Sequence, residues 1–165
     1  MLTIQAINTL TREQFVEQLG WIFEHSPWVA ERAWKKRPFA DLEALHAAME
    51  AEVENAARKE QLALLCAHPD LGARARMSTA SVSEQSGAGL DRLTAEEYER
   101  LQKLNTAYRD KFGFPFLYAV KGSTKYDILR ALEQRLQETP DQEFRQALTQ
   151  VYRIALFRLQ DTIAH

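Results

Sequence analysis

Three side chains that lie far apart in the sequence have the chemistry of a small acid–base site. His68, in the tripeptide His68-Pro69-Asp70, carries an imidazole whose ordinary pKa of about 6.5 suits proton transfer near neutral pH. Glu84 supplies a carboxylate, and Arg158 supplies a guanidinium that can hold a carboxylate or carbonyl oxygen. Such a set can move a proton and orient an anionic substrate, so we take these three residues as candidate catalytic groups.

Each candidate also has a structural explanation. His68 could cap the helix before it or fill a niche in the core, and Glu84 could complete a capping box that begins at Ser81. Arg158 falls within the apolar stripe of the last predicted helix, where a cation is costly unless it meets an anion or extends to solvent. The residues alone leave these alternatives open.

The helices that would position these residues are marked by start and stop signals. The segments 11–14, 94–97 and 139–142 fit capping boxes, Pro38 must end a helix, and Gly113 is well placed to end another in a left-handed conformation. Helices are predicted to start near Thr11, Ser26, Asp41, Leu62, Thr94, Ser123 and Thr139. Convincing strand alternation is missing from the sequence. We therefore predict an all-α, compact single-domain bundle of about seven to nine helices over residues 1–165.

Two stretches differ from the helical pattern. Residues 78–89 are rich in small polar side chains, and residues 112–122 combine aromatic residues with Gly and Pro. We predict that both are irregular, and long irregular connections in a helical domain are often functional.

Composition excludes several classes of function. A formal net charge of −2 and 45% apolar residues indicate a globular protein without a global attraction to nucleic acid. We expect no membrane span, no signal segment and a cytoplasmic location. The four histidines lack ligand spacing, so we expect no metal.

Cys66 is predicted to be a small buried residue, and Trp21, Trp28 and Trp34 are predicted to belong to the core.

Four blocks of the sequence resemble the 2-oxo-4-hydroxy-4-carboxy-5-ureidoimidazoline (OHCU) decarboxylase family. They are residues 68–72 (HPDLG), residues 81–90 (SVSEQSGAGL), residues 105–122 (NTAYRDKFGFPFLYAVKG) and residues 154–159 (IALFRL). The blocks occur in the family's order and span most of the chain.

The resemblance implies an all-α enzyme that uses no cofactor and converts OHCU, formed from urate, to (S)-allantoin. It assigns the catalytic roles to His68, Glu84 and Arg158. It also implies that the substrate contacts Pro69, Ser81, Val82, Ser83, Glu84, Gln85, Phe116, Leu117, Tyr118, Ala119, Val120 and Arg158. The only partner implied is this small-molecule substrate, with a homodimer possible.

Two alternatives accompany this interpretation. The tripeptide at residues 68–70 also marks the J-domain of co-chaperones, but the segment before it, residues 61–67, contains no basic residue. A sister enzyme that acts on another ureido or hydantoin compound is the second alternative.

Overall fold

The residues that the structure describes fold mainly into α-helices. The computed structural model describes residues 1–72 and 79–164. In these residues the nine α-helices are α1 Ile4–Asn8, α2 Arg12–Leu19, α3 Trp28–Ala33, α4 Leu42–Glu54, α5 Arg58–Cys66, α6 Thr79–Gly87, α7 Ala95–Phe112, α8 Lys125–Arg135 and α9 Pro140–Thr162. The prediction of an all-α fold is confirmed.

The predicted capping signals start and end several helices. The Thr11 hydroxyl accepts from the Gln14 N–H, and the Gln14 side chain accepts from the Thr11 N–H, so α2 begins with a complete capping box. Equivalent boxes begin α7, α8 and α9. Gly113 ends α7 at φ 83°, a left-handed conformation that a residue with a Cβ rarely adopts. Local sequence therefore determines where these helices begin and end.

The helices belong to two compact units. Unit 1 contains residues 1–67 and 151–165, and unit 2 contains residues 68–150. Helix α9 contributes its first part to unit 2 and its last part to unit 1. The prediction of a single domain over residues 1–165 stays a prediction.

Unit 1 packs apolar faces of α1 to α4 and pairs the two ends of the chain. Phe15, Leu45 and Met49 are fully or almost fully buried in it. The N–H of Leu2 donates to the Thr162 carbonyl at 3.2 Å, and the N–H of Ala164 donates to the Leu2 carbonyl at 2.7 Å. These two hydrogen bonds form a parallel bridge between the chain ends.

Unit 2 contains an aromatic cluster between α7, α9 and residues 114–118. The centre of the Tyr108 ring lies 4.5 Å from the ring centre of Phe112, 5.9 Å from that of Phe114 and 5.5 Å from that of Phe116. Phe144 of α9 packs edge-on against Phe114 at 5.9 Å. The irregular segment that follows α7 is thereby fixed against two helices.

Two predictions about elements are corrected, and one helix was not predicted. Most of residues 78–89 were expected to be irregular, but Thr79–Gly87 is helical, while residue 78 lies outside the described residues. Helix α5 begins at Arg58, four residues before the predicted start near Leu62. The short helix α1 was not predicted, although Thr3 caps it.

Two predictions about burial are also corrected. Cys66 is exposed, because the buried residues of α5 are Leu64 and Leu65, and Cys66 shares its exposed face with Leu62, four residues earlier. Trp21 is 41% exposed, whereas Trp28 and Trp34 are half-buried. Among the described residues, no helix has both the length and the apolar character needed to cross a bilayer.

Candidate active site

His68 lies just beyond the end of α5, where the chain leaves the helix. Helix α5 ends at Cys66, and the Ala67 N–H still donates to the Ala63 carbonyl at 2.9 Å. Pro69 disfavours helical angles at His68, so the imidazole is held at a junction. The side chain of His68 is buried, with 5% of the residue exposed, and Pro69 is half-buried. A buried imidazole at a helix end is suitably placed for proton transfer to an enclosed substrate.

The residues that follow His68 are held by side chains of α6 and α7. The Asn105 amide donates to the Leu71 carbonyl at 2.9 Å, and Arg109 donates to Asp70 at 2.9 Å. The Gly72 N–H donates to the Gln85 side-chain oxygen at 2.8 Å. These contacts fix the segment 70–72 relative to both helices.

Gly72 is required at the end of this segment. Its φ is +72°, and a Cβ at this position would lie 2.4 Å from the Leu101 Cδ2 atom. Both the backbone conformation and the close approach of α7 therefore favour glycine.

Helix α6 carries the predicted residues 81–85 on two faces. Ser81 and Gln85, four residues apart, are buried, and Gln85 uses its side-chain oxygen to hold Gly72. Glu84 is half-buried, whereas Val82 and Ser83 are exposed. The Gln85–Gly72 hydrogen bond therefore brings the helix that carries Glu84 against the segment that follows His68. It gives the side chain of Gln85 a structural partner.

The predicted segment 116–120 is irregular, as expected, and mostly buried. Phe116, Leu117, Ala119 and Val120 are 0–6% exposed, and Tyr118 is half-buried. Arg135 donates to the Leu117 carbonyl, and the Ala119 N–H donates to the Gln150 side-chain oxygen at 2.9 Å. Two side chains from helices thus hold the backbone of this segment.

Arg158 is buried in unit 1, with 3% of the residue exposed. Its Nη1 atom donates to the carbonyls of Trp21 and Ile22 at 3.3 and 3.2 Å and lies 3.5 Å from the carboxylate of Glu24. Glu24 is itself 2% exposed. The structural pairing that the sequence left open is therefore present. Arg158 belongs to a different unit from His68 and Glu84, so the meeting of all three groups stays a prediction.

Unit 2 contains a buried ionic network that was not predicted from the sequence. Arg135 Nε donates to Glu143 at 2.7 Å, and the Tyr108 hydroxyl donates to the same carboxylate oxygen at 2.6 Å. Burial and the hydrogen bond to Glu143 raise the pKa of Tyr108 well above its ordinary value of 10.0. A sequence signal existed: Glu143, Ala147 and Gln150 follow one another at i, i+4 and i+7 on α9, which places two polar residues on its buried face.

Neither a surface concavity nor a metal-binding group adds to the candidate site. A surface concavity of about 450 Å³ is lined by residues 141, 142, 145, 146 and 149 of α9, and none of the predicted site residues lines it. Within residues 1–72 and 79–164, no three His, Cys, Asp or Glu side chains are grouped so that they could hold a metal ion.

Comparisons with known proteins agree with the predicted family. The protein-family model for OHCU decarboxylase matches residues 8–160. A 2-oxo-4-hydroxy-4-carboxy-5-ureidoimidazoline decarboxylase of Haloferax volcanii is 49% identical over 97% of this chain and 95% of its own length.

Two solved structures share the fold. The crystal structure of an (S)-allantoin synthase superimposes with a TM-score of 0.82 at 39% identity, over 98% of this chain and 54% of that chain. An OHCU decarboxylase crystallised in the presence of (S)-allantoin gives a TM-score of 0.68 at 26% identity, over 81% of this chain and 89% of that chain.

The fold and these similarities define an all-helical decarboxylase. More specifically, the chain belongs to the OHCU decarboxylase family.

Proposed function

We propose that the chain decarboxylates OHCU to (S)-allantoin in urate degradation, with His68 as the proton-transfer group. The observation that carries this assignment to the site is the hydrogen bond from Gly72 to Gln85. It places the segment that follows a buried imidazole beside the helix that bears Glu84, as a site built from these two blocks requires.

The substrate itself explains why a histidine, a glutamate and an arginine are sufficient. The carbon that loses CO₂ bears a hydroxyl group, and its ring neighbour is the carbon of a C=N bond. The electrons of the breaking C–C bond can enter this C=N bond, so the substrate is its own electron sink. Loss of CO₂ gives an enol-like intermediate. This intermediate must lose the hydroxyl proton and gain a proton on one face of the neighbouring carbon to yield one enantiomer.

The candidate residues supply the remaining parts of the reaction. His68 exchanges a proton with the hydroxyl and carboxylate region, assisted by Glu84. Arg158 orients the ureido or ring carbonyl, and its buried contacts with Glu24 and two backbone carbonyls support a fixed guanidinium. Backbone groups of residues 116–120 hold the ring heteroatoms, with Pro69 and residues 81–85 as further contacts.

The family assignment bears on the two alternative functions, a J-domain and a sister enzyme. The J-domain interpretation rests on three residues, whereas the family model spans residues 8–160. A sister enzyme for another ureido compound is an outcome of the test below. A cytoplasmic location and a homodimer stay predictions.

The experiment generates OHCU in solution from urate with a urate-oxidising enzyme and the hydrolase that follows it, and records optical activity. We expect the protein to accelerate the appearance of dextrorotatory allantoin above the spontaneous rate. His68→Asn should lower kcat by roughly 10²–10⁴, because it removes the group that transfers the proton.

The matched control is His25→Asn. His25 is exposed and has a φ of 45°, a conformation that asparagine adopts readily, so kcat should be unchanged. Decay of OHCU at the spontaneous rate in the presence of folded wild-type protein would contradict the proposed function and favour the sister enzyme. Full activity in folded His68→Asn would remove His68 from its role.

A further inference from the structure

The backbone on each side of Tyr118 is held by a side chain of a helix. Arg135 of α8 donates through Nη1 to the carbonyl of Leu117. Gln150 of α9 accepts, through its side-chain oxygen, the N–H of Ala119 at 2.9 Å. Arg135 is the last residue of α8, Gln150 lies within α9, and both residues belong to unit 2.

The two hydrogen bonds fix the directions in which the N–H and C=O of Tyr118 point. A trans peptide group is planar, and its C=O and N–H point in opposite directions. The N–H of Tyr118 therefore points away from Arg135, because it shares a peptide group with the Leu117 carbonyl. The C=O of Tyr118 points away from Gln150, because it shares a peptide group with the Ala119 N–H.

Neither of these two backbone groups of Tyr118 makes a hydrogen bond within the part of the chain that the structure describes. The Tyr118 hydroxyl, in contrast, lies 3.0 Å from the hydroxyl of Ser123. Because the residue is half-buried, a donor and an acceptor of the backbone are left for a small polar ligand.

The Arg135 anchor is itself held in place by its neighbours in unit 2. The Arg135 guanidinium donates to Glu143 at 2.7 Å, and its Cζ atom lies 4.5 Å from the centre of the Phe116 ring. The Tyr108 hydroxyl holds the same Glu143 oxygen. Gln150 is 7% exposed, and its Nε2 donates to the exposed Gln146 side chain at 3.0 Å. Removing either member of this ion pair would leave an uncompensated charge, so the pair keeps the Arg135 guanidinium beside Glu143.

We infer that Arg135 and Gln150 are positioning residues that aim the N–H and C=O of Tyr118 at an –NH–CO– edge of the ligand. A ureido group and the ring of allantoin both present such an edge, in which a donor and an acceptor are adjacent. The inference rests on the proposed function, since it uses the same segment and the same substrate. It adds the two side chains that set the direction of the backbone.

The test uses substitutions of Gln150 that remove or keep its hydrogen bond with Ala119. Gln150→Met has a similar length but only a weak sulfur acceptor. Gln150→Ser is too short to reach, and Gln150→Glu keeps an oxygen acceptor. Gln146→Met is the matched control, because it removes only the contact on the exposed side of Gln150. For each protein, KM and kcat are measured with OHCU made in solution, the Kd for (S)-allantoin by calorimetry, and Tm by circular dichroism.

We expect Gln150→Met and Gln150→Ser to raise KM and the Kd for (S)-allantoin by about three- to tenfold, as for the loss of one well-oriented hydrogen bond. The kcat should change by less than about twofold, because the contact is made equally in the ground state and the transition state. Gln150→Glu should recover most of the affinity, and Gln146→Met should bind as the wild type does.

Two results would overturn the inference. In the first, Gln150→Met and Gln150→Ser lower Tm but leave KM and Kd unchanged. This result would show that Gln150 has only a structural role. In the second, Gln146→Met raises KM as much as Gln150→Met does. A wild-type protein that binds no allantoin and leaves OHCU to decay at the spontaneous rate would instead contradict the proposed function, so the two failures are distinguishable.

Discussion

Arg158 and Glu24 form a buried ion pair whose two members can be tested separately. The guanidinium lies 3.5 Å from the carboxylate, and both side chains are 2–3% exposed. Removing one member of a buried pair costs about 3–5 kcal/mol, whereas replacing both by neutral groups costs much less. The pair therefore allows a structural role of Arg158 to be separated from a role in binding.

At this residue scale we predict that Arg158→Met lowers the free energy of unfolding by about 3–5 kcal/mol. The double variant Glu24→Gln/Arg158→Met should regain at least half of that loss, because a neutral amide replaces the buried carboxylate. Urea unfolding measures both quantities.

The activity of the double variant then decides whether Arg158 also orients the substrate. If Arg158 orients the substrate, the stabilised double variant stays inactive towards OHCU. Recovery of activity together with stability would show that Arg158 acts only in the fold.

Side chains differ in how well the sequence predicted them. Arg158 was noticed because it interrupts an apolar stripe, and it is buried as that position implies. Glu143 and Gln150 carry the same signal on the same helix but were missed. The partner of each buried polar group comes from a distant part of the chain, and spacing along one helix contains no information about it.

At the scale of elements, the capping boxes at residues 11–14, 94–97 and 139–142 were reliable. The box considered at Ser81 was not, because Ser81 lies inside α6, and composition was not reliable either. A capping box is a local hydrogen-bonding pattern of four residues, so it can be recognised without the rest of the fold. Helix α6 was missed because serine, threonine and glycine are weak helix formers. Its buried residues Ser81 and Gln85 are four positions apart, and the contact of Gln85 with Gly72 is a tertiary interaction that can override such propensities.

The connection of α7 to α9 through Tyr108 predicts a dependence of stability on alkaline pH. Burial and the hydrogen bond to Glu143 raise the pKa of the folded-state hydroxyl above the ordinary value of 10.0. The stabilisation is complete below pH 10 and is lost as the pH rises above it, because the unfolded chain then releases a proton that the folded chain keeps.

We therefore compare the wild type with Tyr108→Phe by urea unfolding between pH 8 and pH 11.5. At pH 8 the wild type should be more stable by about 2 kcal/mol, as for a hydrogen bond to a charged group. Above pH 10 this difference should shrink by about 1.4 kcal/mol per pH unit. A difference that stays constant up to pH 11.5 would contradict the raised pKa.

At the scale of the whole molecule, we propose that the two units unfold together as one domain. All three tryptophans, Trp21, Trp28 and Trp34, lie in unit 1, whereas helices occur in both units. Tryptophan fluorescence therefore reports on unit 1, and far-ultraviolet circular dichroism, which measures helix content, reports on both units.

We predict that the two signals give coincident urea transitions, the usual test of two-state unfolding. A fluorescence transition that precedes or follows the dichroism transition would show two domains and contradict the sequence-based prediction of one.

The bridge between the chain ends has a practical consequence for engineering. Since Leu2 pairs with Thr162 and Ala164, a polypeptide attached at either end leaves unit 1 from the same side. A few flexible residues, each spanning up to about 3.5 Å, would suffice to join the ends into a ring. New ends could then be opened in an exposed turn elsewhere, which makes the chain suitable for circular permutation and for insertion into a host protein.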